Sequence, residues 1–396
     1  MTPAGIDSSR PDATDTVPGD IPEAADVVVV VVGAGLMGSA AAWAATRRGL
    51  STMLVEQFAL GHDRGSSHGS ARIVRRAYPD ALYLRLTGVA MELWRELELN
   101  GDRTLVQITG GIDYGARRGA QHIASVLADQ DVPHQLLTAA AAGERWPGVG
   151  FQGPVLFHPQ AGTVDADLAV RTAIECAQRR GATVLADTRV LRVEVMDERH
   201  ARVVTNRGVV RAGCVVVAAG GWANQLLDGL EPMPDLTVTQ QQVFHFPRRD
   251  TTVDWPVIIH QGELDTYNLP GGRDGGSLGG RKVAESLGTA TTADGRNGIV
   301  DPAARQRITD YVRKNLPGLI PEPFNETTCL YTSTANGDFI LDRVGPLVVC
   351  SPCSGHGAKF APLVGELVVD LATGAAEVPP RFTLAAHAAT SIPVSH

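Results

Sequence analysis

Val27-Val28-Val29-Val30-Val31-Val32 runs without a break into Gly33-Ala34-Gly35-Leu36-Met37-Gly38. Six consecutive β-branched residues predict a buried strand. The glycines behind them have G-x-G-x-x-G spacing: Gly33 for a tight turn, Gly35 for close backbone approach to a pyrophosphate, Gly38 for helix-on-strand packing. The helix that starts here points its N-terminal amides and positive dipole end at phosphates. It continues through Ala40, Ala41, Trp43 and Ala44 to Arg47-Arg48-Gly49, where glycine ends it. A second strand, Ser51–Val55, leads to Glu56, 18 residues past Gly38, where an acid accepts hydrogen bonds from ribose hydroxyls. Strand, glycines, helix, strand and acid in this order are much more specific than the glycines alone; the competing reading is a βαβ unit with no ligand. The glutamate disfavours a 2′-phosphate, leaving FAD or NAD ahead of NADP. Val27–Thr46 carries no charge and is long enough to span a bilayer, but the valine run and the glycine turn favour strand, turn and helix.

Working outward, the chain has 396 residues, enough for two or three domains at roughly 150 residues each. A formal net charge of −8 argues against bulk attraction to nucleic acid or anionic membrane. Glycine is in excess, 43 residues against about 7% in average proteins, and points to tight turns and close ligand approach. Five scattered cysteines suit a reduced, cytoplasmic protein and not a disulfide framework. Residues 1–25 are acidic and Pro/Ser/Thr-rich, and read as a disordered tail and not as a signal peptide.

After Glu56 a simple NAD dehydrogenase would continue with βα units. Instead Gly61–Arg76 is small and polar, then basic, and Val215-Val216-Val217 runs into Ala218-Ala219-Gly220-Gly221-Trp222, a further buried strand ending in glycines. Both favour FAD and a split nucleotide-binding domain. Arg72 and Arg75, three apart, share one face if their segment is helical. With Lys359 they offer three positive charges suited to an α-carboxylate; the bland alternative is a solvated basic run. Cys350-Ser351-Pro352-Cys353 has redox or half-zinc spacing, but it closes an apolar strand and has no partner pair, so no metal site is expected.

Four separated segments together resemble the sarcosine oxidase and N-methyltryptophan oxidase group of FAD-dependent amine oxidases, which are of the D-amino-acid-oxidase structural type. They are the fingerprint through Glu56, Ser66–Tyr78, Cys329-Leu330-Tyr331-Thr332, and Ser354-Gly355-His356-Gly357-Ala358-Lys359, supported by Asp187–Val190 and Ala218–Trp222. The resemblance covers about Asp26 to Thr373. It implies an α/β fold with an α+β second part. A Rossmann-like FAD-binding domain (26–89, 161–225 and 326–396) would interleave with a mixed-sheet substrate domain (90–160 and 226–325).

The resemblance also assigns roles. Cys329 would bond covalently to the flavin, where it would otherwise read as a small buried hydrophobe. Arg75 and Lys359 would hold the substrate carboxylate, and Arg72 would lie over the flavin. Gly355, Gly357 and Ala358 would approach ring or substrate, and Ser66 and Val190 would help hold the cofactor. Tyr267 and Tyr331 match active-site tyrosines. Lys282 is the candidate for the lysine that promotes reaction with O2, reached only across a glycine-rich insertion at 271–280. A family histidine is replaced by Ser286 beside Glu285, an acid that faces either the pocket or water.

The expected activity is oxidation of a secondary or cyclic amino acid (sarcosine-like, N-methyl, or a ring imino acid such as proline or pipecolate) by FAD and then O2, giving an imine and H2O2. A dehydrogenase with another acceptor is the alternative, and an NAD-binding sensor or scaffold a more distant one. A monomer or weak oligomer is expected.

Overall fold

The computed structural model describes residues 25–229, 233–276 and 279–390; residues 1–24 of the expected tail lie outside them. Three sheets are formed. The valine run is strand β1 (Ala25–Val32), followed by helix α1 (Leu36–Arg47) and strand β2 (Thr52–Val55). In the eight-stranded sheet β1 lies between β2 and Gly208–Val217, parallel to both. Thr183–Leu185 extends one side. Leu347–Ser351 pairs with the end of Gly208–Val217, where Val215–Val217 face Leu347–Val349.

Successive side chains of a strand alternate between faces, and here both faces are covered. Val29 and Val31 pack with Trp43, Leu84, Trp94 and Val368 in one core cluster. Val30 and Val32 pack with Met53, Val55, Val215 and Val217 in another. That is why the Val29–Val32 part of this strand is apolar throughout and does not alternate. The glycines permit the tight βα turn. Gly33 has φ +100°, and a Cβ on Gly38 would stand 1.8 Å from the Gly33 carbonyl oxygen.

The nine-stranded mixed sheet is built mainly from 111–158 and 237–290. Its Asn325–Ser333 strand, which carries Cys329, pairs antiparallel with Thr237–Phe246. The boundary expected at 326 therefore cuts through a strand of this second sheet. A three-stranded sheet joins strand β3 (Arg72–Arg75), Ala161–Val164 and Val106–Ile108. A helix spans Ala166–Arg179, and the Asp165 carboxylate caps it by accepting from the Leu168 N–H at 3.0 Å. Among the described residues no helix is long and apolar enough to cross a membrane.

Candidate active site

A cavity of about 650 Å³ runs between the two large sheets, from the glycine turn to Lys359. All the residues given a site role from the sequence line it except Gly38, which is buried within α1.

At the nucleotide end, Gly33 and Gly35 face the cavity beneath the N-terminus of α1, whose N-cap Gly35 offers no side chain and whose first turn holds no acid; the Leu36 N–H donates to the neutral Ser67 hydroxyl at 3.0 Å. This leaves the helix's positive dipole end open to an anion. The Glu56 carboxylate accepts from the Ala34 N–H at 2.8 Å and the Phe58 N–H at 3.0 Å. Burial alone would raise its pKa, but His62 and these amides hold it low, so an ionised acceptor with spare lone pairs remains. Ser66, Val190 and Ala358 line the walls. A Cβ on Gly357 would stand 1.7 Å from the Pro352 carbonyl oxygen, so this turn accepts no larger residue. A cradle with a helix N-terminus free of acidic side chains and an acid at the end of β2 fits FAD.

The opposite end is cationic. The conditional helical face for Arg72 and Arg75 is not formed: Arg72–Arg75 is a strand, paired antiparallel with Ala161–Val164. Both side chains still line the cavity. Arg72 is turned back, its Nη2 donating to the carbonyls of Ser66 at 3.1 Å and His68 at 2.5 Å. Arg75 lies over the Tyr78 ring at 4.4 Å, and its Nη1, sealed from solvent, finds no hydrogen-bond partner among the described residues. Lys359 Nζ donates to the His356 carbonyl at 2.5 Å and lies 5.6 Å from the same ring. Burial, reinforced by Arg75, pushes the Lys359 pKa well down.

His356, part of the quoted motif but given no role from sequence, has both ring nitrogens engaged. Nε2 lies 3.0 Å from the Gly337 carbonyl, which can only accept, so Nδ1 accepts from the Tyr78 hydroxyl at 3.0 Å. Burial and the Lys359 charge bring its pKa down to about 3. It therefore fixes the loop and is no general base. A Cβ on Gly355, at φ +70°, would meet the Tyr331 ring at 2.8 Å.

The second sheet supplies the remaining residues. Lys282 and Ser286 line the cavity while Glu285 does not, as the two-residue period of the Arg281–Glu285 strand requires. Glu285 is fully buried and ion-paired with Arg307 at 2.6 Å, so it faces neither the pocket nor water. Lys282 Nζ donates to the Ala71 carbonyl at 3.1 Å, and burial, with Arg72 adding to it, brings its pKa down to about 7. The Tyr331 hydroxyl donates to that of Tyr267 at 3.3 Å. Burial raises Tyr267 to about 12 and Tyr331 well above its ordinary value, so both phenols stay protonated. Cys329 is 6% exposed, on the same wall. Cys353 also lines the cavity, its Sγ accepting from the Thr332 N–H at 3.4 Å. Among the described residues no group of three or more His, Cys, Asp or Glu is placed to hold a metal.

A buried Arg118–Asp113–His158 cluster, with Arg118 on the cavity wall, has no counterpart among the residues expected from sequence. Arg118 Nε donates to Asp113 Oδ1 at 2.6 Å, and His158 Nε2 donates to Oδ2 at 2.9 Å. Burial would raise the Asp113 pKa, but Arg118, the His158 hydrogen bond and Arg75 hold it far below the usual carboxylate range.

Comparisons with known proteins agree with this geometry. The chain is 32% identical over 361 residues to a monomeric sarcosine oxidase of Streptomyces avermitilis, covering 87% of this chain and 93% of that one. It is 30% identical over 376 residues to peroxisomal sarcosine oxidase of Mus musculus, covering 90% and 94%. The L-proline dehydrogenase structure from P. horikoshii shares the fold, with a TM-score of 0.82 at 20% identity over 94% of this chain and 100% of that one. Residues 28–371 match the DAO family, described as FAD-dependent oxidoreductases, and the chain belongs to that family.

Proposed function

We propose that this enzyme oxidises a secondary or cyclic amino acid, sarcosine-like, N-methylated or a ring imino acid, with O2 as electron acceptor. Held by Gly33, Gly35, Glu56 and Cys329, FAD would supply the two-electron redox chemistry: the amine would lose a hydride equivalent from the neighbouring C–H and a proton from nitrogen to give an imine, which water hydrolyses, and O2 would be reduced to H2O2. The observation that carries the reading is the convergence of Arg75, Lys282, Cys329 and Lys359 on one cavity from four distant stretches of chain. The names of the relatives point to the same substrate class.

Arg75 and Lys359 would bind the substrate carboxylate. Both are buried, Lys359 against the charge of Arg75 and Arg75 against that of Arg118, and a carboxylate between Arg75 and Lys359 supplies a counter-charge and accepts from the idle Arg75 Nη1. The protonated Tyr267 and Tyr331 donate hydrogen bonds and cannot serve as bases at neutral pH. A substrate amine enters protonated from water, and desolvation in this cationic pocket favours its neutral form. The Lys282 ammonium would stabilise negative charge developing on oxygen, which favours an oxidase over a dehydrogenase with another acceptor. Cys329 would tether the flavin.

Acid precipitation tests the tether. The yellow colour is expected to remain in the pellet for the wild type and to move to the supernatant for Cys329→Ser. Colour in the wild-type supernatant contradicts the covalent link. Peroxide formation from a panel of N-methyl and cyclic amino acids tests the activity.

A further inference from the structure

Arg117 and Arg118 are neighbours in the sequence, but the structure sends them to opposite sides. Gly115, at φ +110°, turns the chain so tightly that a Cβ there would meet the Gln261 carbonyl oxygen at 2.3 Å. Arg117 faces out, 58% exposed and paired with Asp265 at 2.9 Å. The Arg118 side chain is only 8% exposed and lines the cavity.

Arg118 is held by one edge. Its Nε and Nη2 both lie 2.6 Å from Asp113 Oδ1, but only Nε is aligned to donate, and Nη2 finds no acceptor among the described residues. Nη1 has a single long hydrogen bond, 3.4 Å, to the Gln261 side chain, itself on the cavity wall. Asp113 cannot turn to serve those donors, because its other oxygen is committed to His158 and both residues are sealed in the core. Asp265, opposite Gln261 in the sheet, is engaged by Arg117.

Arg75 and Arg118 are close enough to repel each other. One α-carboxylate uses Arg75 and Lys359, and the free edge of Arg118 remains. We propose that this edge, with the Gln261 amide beside it, is a second anion subsite, and that the preferred substrate is a secondary amino acid carrying a distal carboxylate. The inference rests on the amino-acid oxidase reading above and narrows its substrate class. A neutral aliphatic side chain would leave the Nη donors desolvated without an acceptor, which should cost about tenfold to a hundredfold in specificity.

The test compares kcat/KM of the holoenzyme for racemic N-methylaspartate and N-methylglutamate with that for N-methylnorvaline. The wild type is expected to favour at least one diacid by about tenfold or more, and Arg118→Gln to reduce that ratio at least about tenfold. Arg118→Lys keeps a cation against Asp113 but loses the fork, and is expected to fall between, which guards against a Gln variant that fails to fold. Calorimetric titration with thiodiacetate and with ethylthioacetate, whose sulfur replaces the amine, gives the same comparison without turnover. Wild-type preference for the neutral substrate, or a ratio unchanged by Arg118→Gln, overturns the proposal. If no amine in the set is oxidised, the oxidase reading fails by itself, and the thioether titration then decides the subsite alone.

Discussion

Lys282 is a buried lysine on the cavity wall. It sits opposite His245 in the sheet, with Arg72 near, and burial brings its pKa to about 7. Its charged form is therefore present below that pH and lost as pH rises through it, and an anion bound beside it moves the transition upward. The rate at which the bleached enzyme regains colour in air should be highest at low pH and fall as Lys282 deprotonates. Lys282→Met should slow that step about a hundredfold or more and remove this pH limb, while anaerobic bleaching by substrate persists. An unchanged rate of recovery in stopped-flow measurements would remove Lys282 from the oxygen step.

At the scale of elements, the βα unit was legible because its requirements are local. A strand buried on both faces needs an apolar run, and a helix packed tightly against it needs glycine at fixed offsets. Gly38→Ala places a methyl group against the Gly33 carbonyl, 1.8 Å away before relaxation, and is expected to destabilise by about 1–3 kcal/mol. Thermal unfolding should show a lower midpoint, together with reduced flavin content, since the same turn presents the helix N-terminus; wild-type values for both would contradict this packing account.

The strand character of Arg72–Arg75 was less legible, because four residues with no alternation give no period to read, and pairing with Ala161–Val164 decides it. Asp113 and His158 were invisible for a related reason. They meet only because Gly111 faces His158 across the sheet, with Asp113 two residues further on the same face. Gly111 also makes room: a Cβ there would stand 2.4 Å from the His158 ring. Such a register is a property of the folded sheet and leaves no local pattern around Arg118. Glu285 is the converse case, where strand alternation sends Ser286 to the cavity and the acid to Arg307.

For the whole molecule, the cavity is bounded by one sheet that presents a helix N-terminus and an acid and another that presents Lys282, Cys329 and two tyrosines. Its cationic end contrasts with a chain of net charge −8, so the positive charge is concentrated where an amino-acid carboxylate would bind. The measurement that bears most directly on this arrangement is anaerobic addition of N-methyl or cyclic amino acids to the purified yellow protein, followed by air. The visible colour is expected to bleach with at least one of them and to return with one equivalent of hydrogen peroxide per cycle. Colour that no secondary amino acid bleaches, or that bleaches and does not return in air, would contradict the oxidase account.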